Sequence, residues 1–195
     1  TKGHDLPMVT LVGVLAADLS LNIPDFRAAE RTFQLLTQVA GRAGRGSLPG
    51  KVIIQTYNPN HYTIQMAQKQ DFLAFYQKEA QFRQEMAYPP FTRLINLRVE
   101  GNSEVRTLRY AKFLEEIVRR VLGEEKRFPG QVEVLGPTPA PLAKLKGKCR
   151  CQMLFKGKRW PLLHDFTERV LQKAEEEISL PGVKLIVDVD PLNML

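Results

Sequence analysis

The run Gln38-Val39-Ala40-Gly41-Arg42-Ala43-Gly44-Arg45 sets two arginines three residues apart among glycines. A guanidinium fork matches the oxygens of a phosphate, and glycine lets backbone approach such a group closely. The same chemistry extends backwards at helical spacing, through Arg27, Arg31, Gln34, Gln38, Arg42 and Arg45. A helix face with these guanidiniums and amides is suited to oxyanions; the plain alternative is a solvated basic face. The element that must carry them is a helix over 25–39. Asp25 can cap it just after Pro24, and Phe26, Ala29, Phe33, Leu36 and Ala40 recur at three and four to form its buried side.

A second concentration of charge lies between Lys144 and Trp160, with five lysines, two arginines and no acid. If 148–156 is a strand, Lys148, Arg150, Gln152 and Lys156 share its solvated face. Lys144 and Lys146 come from the loop before it, Lys158 and Arg159 from the turn after it. Such a surface attracts DNA phosphates without sequence preference. Ordinary solubility charge and the docking of an acidic peptide are the competing uses. Trp160 is either a base-stacking platform or a half-buried residue at a helix start. The net charge of +7 favours an anionic partner, nucleic acid ahead of membrane, and no run is apolar enough to span a bilayer.

Other chemistries find little support. Cys149 and Cys151 form a lone C-x-C with no suitably spaced third ligand, so buried thiols are expected and no metal site. His4, His61 and His164 are scattered, and no nucleophilic triad or paired carboxylate stands out.

The 195 residues, 44% of them hydrophobic, can bury a real core in one to two domains. Residues 1–60 read as a strand over 9–15, the helix, and a strand over 51–56. Both strands are continuous apolar runs, as expected of parallel strands covered on both faces, so the pair is a βαβ unit. From His61 to Met86 the pattern is helical, with Ile64, Phe72, Phe75, Phe82 and Met86 on one face as packing or, alternatively, stacking residues. This makes 61–88 a helical connector, stopped by Pro89-Pro90. Residues 89–195 give a strand over 93–99, and a helix capped by Asn102 or Ser103 with Val105, Leu108, Ala111, Leu114 and Val121 apolar. A short strand over 131–135, a Pro-rich loop over 136–141, a strand over 148–156, a helix over 161–178 and a strand over 183–189 follow. The order β-α-β-β-α-β is that of a ferredoxin-like fold, and the whole chain reads as α/β plus α+β.

The motif 38–45 resembles the last motif of superfamily 2 helicases, and Thr1-Lys2-Gly3-His4-Asp5-Leu6-Pro7 resembles the motif before it. With Ala17-Asp18, the run from Pro24 to Arg31, Phe33-Gln34-Leu35-Leu36, Tyr88-Pro89-Pro90-Phe91 and the closing Asp188-Val189-Asp190-Pro191, the chain is similar to the C-terminal portion of one family. That family is the bacterial replication-restart helicases, also called PriA or primosomal protein N′.

The resemblance implies a partial RecA-like second motor lobe over 1–60 and an ATP-driven 3′→5′ DNA helicase as parent, restarting stalled forks. It implies that Gln38, Gly41 and Gly44 face the nucleotide with Arg42 and Arg45, one of which acts as arginine finger. Asp5 would couple to the nucleotide, and Thr1 and Lys2 would touch DNA backbone. Partners would be branched or single-stranded DNA, other primosome proteins and the acidic tail of the single-stranded DNA-binding protein, with Lys158 and Arg159 as its dock. ATP and magnesium would bind in the intact parent, zinc in a cysteine cluster upstream, all in the cytoplasm near the nucleoid. A stand-alone nucleic-acid or protein-interaction module is the rival reading, and an RNA helicase of the same superfamily a second one. The chain, opening mid-motif on Thr1, reads as an excised fragment. Its one near miss to a phosphate loop, 46–52, has its first glycine out of register and Val52 where a hydroxyl is needed. The isolated chain is therefore predicted to show no DNA-stimulated ATP hydrolysis; turnover above background in contaminant-free material would overturn this.

Overall fold

A computed structural model describes residues 9–43 and 49–194 of the chain. Among these residues it is a mixed α/β structure with two sheets and six helices, in two compact units that divide between Phe82 and Arg83.

In the first unit β1 (Leu11–Val14) runs parallel to β2 (Lys51–Ile54), with Leu11 opposite Lys51 and Val14 opposite Ile54. Both strands alternate between exposed and half-buried residues, so one face of the pair is covered and Leu11 and Ile53 stand on the other. The sequence led us to expect cover on both faces. A pair of strands has one helical layer to pack against, and α1 (Asp18–Leu21) and α2 (Ala28–Ala40) supply it between the strands.

Asp18 ties the exit of β2 to α1. Its carboxylate accepts the Thr56 hydroxyl, the Tyr57 N–H at 2.7 Å and the Asn58 N–H at 3.2 Å. These bonds, the Thr56 hydroxyl first among them, hold the carboxyl below the usual range. Asp25 works one turn earlier than expected. Helix α2 begins after Arg27, while the buried Asp25 carboxylate accepts the Arg27 N–H and the Arg31 guanidinium, both at 2.9 Å.

Residues 61–82, set apart above as a connector, share this unit's core. In α3 (Tyr62–Lys69), His61 caps the helix through Nδ1, and burial pushes its imidazole pKa down. Ile64 and Ala67 join Phe33, Leu36 and Phe75 of α4 (Phe72–Glu85) in one cluster. The Phe33 and Phe75 rings stack at 4.1 Å, and Tyr62 lies 5.5 Å from Phe82. The Tyr62 hydroxyl donates to Glu79 at 2.7 Å, which lets that carboxylate be buried. Of the expected stripe, Ile64 and Phe75 are buried as packing residues, whereas Phe72, Phe82 and Met86 are exposed.

The second unit follows the expected element order: β3 (Arg93–Gly101), α5 (Glu104–Glu124), β4 (Val132–Leu145), β5 (Lys148–Gly157), α6 (Trp160–Glu177) and β6 (Val183–Val189). The sheet order is β4-β5-β3-β6 with every neighbour antiparallel. Ser103 caps α5, and Pro161 sits in the first turn of α6, where its missing N–H costs nothing. Ile95, Leu97 and Val99 lie opposite Phe155, Met153 and Cys151. Together they form the sheet side of a core that α5 closes with Ala111, Leu114, Ile117, Val118 and Val121. Val105 and Leu108, expected in that stripe, are exposed; Thr107 and Tyr110 take the buried turn instead. The segment 136–141 is strand, not loop. β4 runs through it with register slips on either side of 138–139, which an edge strand tolerates despite its prolines. Gly136 makes this possible: its φ is +98°, and a Cβ there would stand 2.8 Å from the Gln152 carbonyl.

Phe166 of α6 is fully buried, edge-on to Phe128 at 5.2 Å and to Phe155 at 5.0 Å. Phe166→Ala is expected to destabilise the second unit by about 3–5 kcal/mol, read by denaturant unfolding of the chain.

Candidate functional site

Two groups of residues carry the expected chemistry, and the fold treats them differently. At the C-terminal end of α2, Gln38 is exposed, Gly41 forms the C-cap with its N–H on the Thr37 carbonyl at 3.0 Å, and Arg42 follows at once. A Cβ at Gly41 would meet nothing nearer than 3.6 Å, and Arg42 beside it is half-buried. Further back along the helix the oxyanion face is partly neutralised. Arg31 pairs with Asp25, and Gln34 donates to Glu30 at 3.2 Å. Gly44, Arg45, Thr1, Lys2 and Asp5 lie outside the described residues.

The basic run of the second unit does not form one solvated strand face. Lys144, Lys146 and Lys148 are exposed around the β4–β5 hairpin, whose register sets Leu145 against Lys148. Lys146 and Gly147 have φ of 50° and 78°, the left-handed pair of a two-residue hairpin turn whose twist matches the strands. Neither Lys144, Lys146 nor Lys148 has an ion-pair partner among the described residues.

Arg150 and Lys156 correct the expectation of a solvated face. They do point away from the helices, but they are only 4% and 5% exposed. Arg150 donates through Nε to Glu100 at 3.1 Å, and Arg98 stands 2.9 Å from the same carboxylate. Lys156 donates to the Met86 carbonyl at 2.9 Å, lies 3.3 Å from Glu133 and sits over the Tyr88 ring at 4.5 Å. A cation so enclosed must be paired, and these are. Gln152 is buried on the same face.

Lys158 and Arg159 are exposed at the start of α6, at the far end of β5 from the hairpin. At the rise of an extended strand this separates them from Lys148 by roughly 30 Å. Beside them Trp160, at the start of the helix, is exposed and edge-on to His164 at 5.7 Å. Glu100 and Glu133, which neutralise the central part of the run, were not singled out in the sequence. Their signal was available only through register, because they lie opposite Arg150 and Lys156 on neighbouring strands.

Cys151 is buried and Cys149 half-buried, both as free thiols, and burial pushes the Cys151 thiol up. Among the described residues there is no cluster of metal-ligating side chains, and no helix long and apolar enough to cross a membrane.

Residues 84–192 match the family model of the primosomal protein N C-terminal domain. Over 194 residues the chain is 41% identical to the replication restart protein PriA of Bacillus subtilis, covering 100% of the chain and 23% of that protein. Identity to the Synechocystis protein of the same name is also 41%, over 100% of the chain and 22% of the relative. With the Treponema pallidum protein, again of that name, it is 39%, over 100% and 28%. The chain spans about a quarter of the length of these curated relatives. The matched stretch takes in more than half of the residues and all of the four-stranded sheet. The chain belongs to the primosomal protein N C-terminal domain family.

Proposed function

We propose that the chain is the C-terminal part of an ATP-dependent 3′→5′ DNA helicase that restarts stalled replication forks in the bacterial cytoplasm. In this reading the second unit is a ferredoxin-like domain that grips DNA backbone through the β4–β5 hairpin. The observation that carries it is the exposed trio Lys144, Lys146 and Lys148, held without a carboxylate partner on a two-residue turn. Ammonium groups on a short hairpin tip meet phosphates by charge alone and need no base contact, as a protein acting at forks of any sequence requires. The element order β-α-β-β-α-β and the strand order β4-β5-β3-β6 support the ferredoxin-like assignment. Lys158 and Arg159, exposed beside Trp160, are the proposed dock for the acidic tail of the single-stranded DNA-binding protein.

The first unit, in the same reading, is the closing part of a RecA-like motor lobe, which its parallel strand pair and intervening helices support. The end of α2 suits a nucleotide's terminal phosphates, because the Gln38 amide and the Arg42 guanidinium are donor-bearing side chains close together there and Gly41 adds no side-chain bulk. ATP bound with magnesium in the intact parent would supply the free energy for strand separation. Arg45 or Arg42 would stabilise negative charge on the phosphoryl oxygens, with Gly44 giving close approach. Asp5 would link this site to the DNA contacts of Thr1 and Lys2. A zinc site would belong to upstream sequence.

Replacing Lys144, Lys146 and Lys148 together by Gln should reduce the slope of log K against log salt for duplex DNA by about 2.7, at roughly 0.9 per phosphate contact, alike for all sequences. Arg150→Gln is the control. It should leave the slope unchanged and instead lower stability, since Glu100 loses its buried partner and keeps only Arg98. An unchanged slope in the triple variant would remove the hairpin as the DNA site.

In the full-length parent, Arg45→Ala should lower kcat by roughly a thousandfold with nucleotide affinity within about tenfold, measured by steady-state ATPase and nucleotide titration. Near-normal turnover would transfer the finger role to Arg42.

A further inference from the structure

β4 loses step with β5 beside the start of α5. Pro139 lies opposite Cys151 and Lys144 opposite Cys149, so residues 140–143 have no partner on β5. Pro139 and Pro141 bring no N–H to a ladder, which lets the extra residues arch away from it. The arch leaves a cavity of about 180 Å³ against the first turns of α5. Cys149 and Cys151, two apart on one strand face, form its floor, with Pro139 and Ala143 on one side. Leu108, missing from the core stripe of α5, lines the other side.

Two charged groups border this space. Glu104, in the first turn of α5, has no ion-pair partner among the described residues, and neither has Lys144. Burial, then the charges of Cys149 and Glu104, push the Cys151 thiol up, so the floor stays uncharged. Apolar walls, a polarisable floor and one acceptor at the edge suit a flat heteroaromatic ring that bears an amino group. At about 180 Å³ the cavity is smaller than the roughly 300–1,000 Å³ that encloses drug-sized ligands, so it has room for one ring system. Lys144 belongs both to the cavity and to the lysine hairpin. A strand whose phosphates follow Lys144, Lys146 and Lys148 therefore passes the cavity mouth. The Glu104 carboxylate there repels phosphate and accepts from a base amino group, so it favours the base side of the strand over its backbone.

We propose that the cavity between α5 and the arch of β4 seats one unpaired nucleobase of a DNA strand held by the lysine hairpin. This rests on the DNA-binding reading of the hairpin, and adds to it a contact that stacked and paired bases do not make.

Fluorescence anisotropy on the 195-residue chain would compare a single strand of about eight deoxycytidines with an abasic strand of the same length and charge. The cytidine strand should bind roughly tenfold or more tightly. Ala143→Phe, which fills the cavity without altering charge, should bring the two strands to within about twofold of each other. Glu104→Ala should weaken the cytidine strand severalfold yet tighten the abasic one, because loss of an acid by itself favours phosphates. Circular dichroism should show both variants folded as the parent chain is. With the parent chain, alkylation of Cys149 by N-ethylmaleimide should slow under saturating cytidine strand and not under the abasic strand. Equal binding of the two strands, or equal alkylation rates, overturns the proposal while leaving the hairpin as a DNA site. That is the result expected if the cavity takes a side chain of a protein partner. Binding of neither strand overturns it too, and loss of duplex binding as well would overturn the hairpin reading on which it rests. The proposal also falls if Ala143→Phe keeps the preference, or if Glu104→Ala tightens both strands alike.

Discussion

The inner strands β3 and β5 impose the constraint on which the second unit depends. Their residues alternate between the helical core and the opposite face, and on both sides most of them are buried. Leu97 and Met153 satisfy the first side by hydrophobic burial, which needs only apolar volume. Arg150 and Lys156 fall on the second, where a buried cation must meet a carboxylate or carbonyl. Glu100, between Arg98 and Arg150, answers that requirement from the neighbouring strand. Met86 and Tyr88 answer it for Lys156, so the approach to β3 is bound to β5 before the first strand of the sheet begins. The charges left over for a ligand are those beyond the covered area, at the hairpin and at the start of α6.

In the first unit the corresponding role falls to carboxylates that accept backbone and side-chain donors. Asp18 gathers the chain leaving β2, and Asp25 holds both the entry to α2 and Arg31. With Phe33 stacked on Phe75, the helix is anchored at its entry and along its length. Gln38 in its last turn and the C-cap Gly41 thus follow from a helix anchored well before them.

Much of this was legible from periodicity. The helix around Leu114 and Val118 and the strand from Lys148 emerge within a few residues of their sequence limits, since buried positions at three, four or two residues leave a regular trace. Periodicity assigns Arg150 and Lys156 to a face, but it does not say whether that face is covered. That depends on the register of Glu100, fifty residues away in sequence, as the pairing of Arg150 records. Gly136 and the prolines after it read as a loop because their local chemistry is that of a turn. The edge position of β4 overrode it. The motif at 38–45 was recognisable by residue type alone, whereas the pairing of Arg31 with Asp25 required the turn preceding α2 to be seen in three dimensions.

The hairpin turn at Lys146 and Gly147 has a kinetic consequence. Three uncompensated charges held close together produce a field felt over roughly a Debye length, about 8 Å at physiological ionic strength. That reach exceeds any hydrogen bond the lysines could form, so the tip acts on an approaching polyanion before contact. The turn is only two residues long, so the order to be found at encounter is mainly that of the lysine side chains themselves. Electrostatic steering of this kind raises the rate of capture more than the lifetime of the complex. In the DNA-binding reading proposed above, the hairpin would favour quick capture of phosphates over long retention.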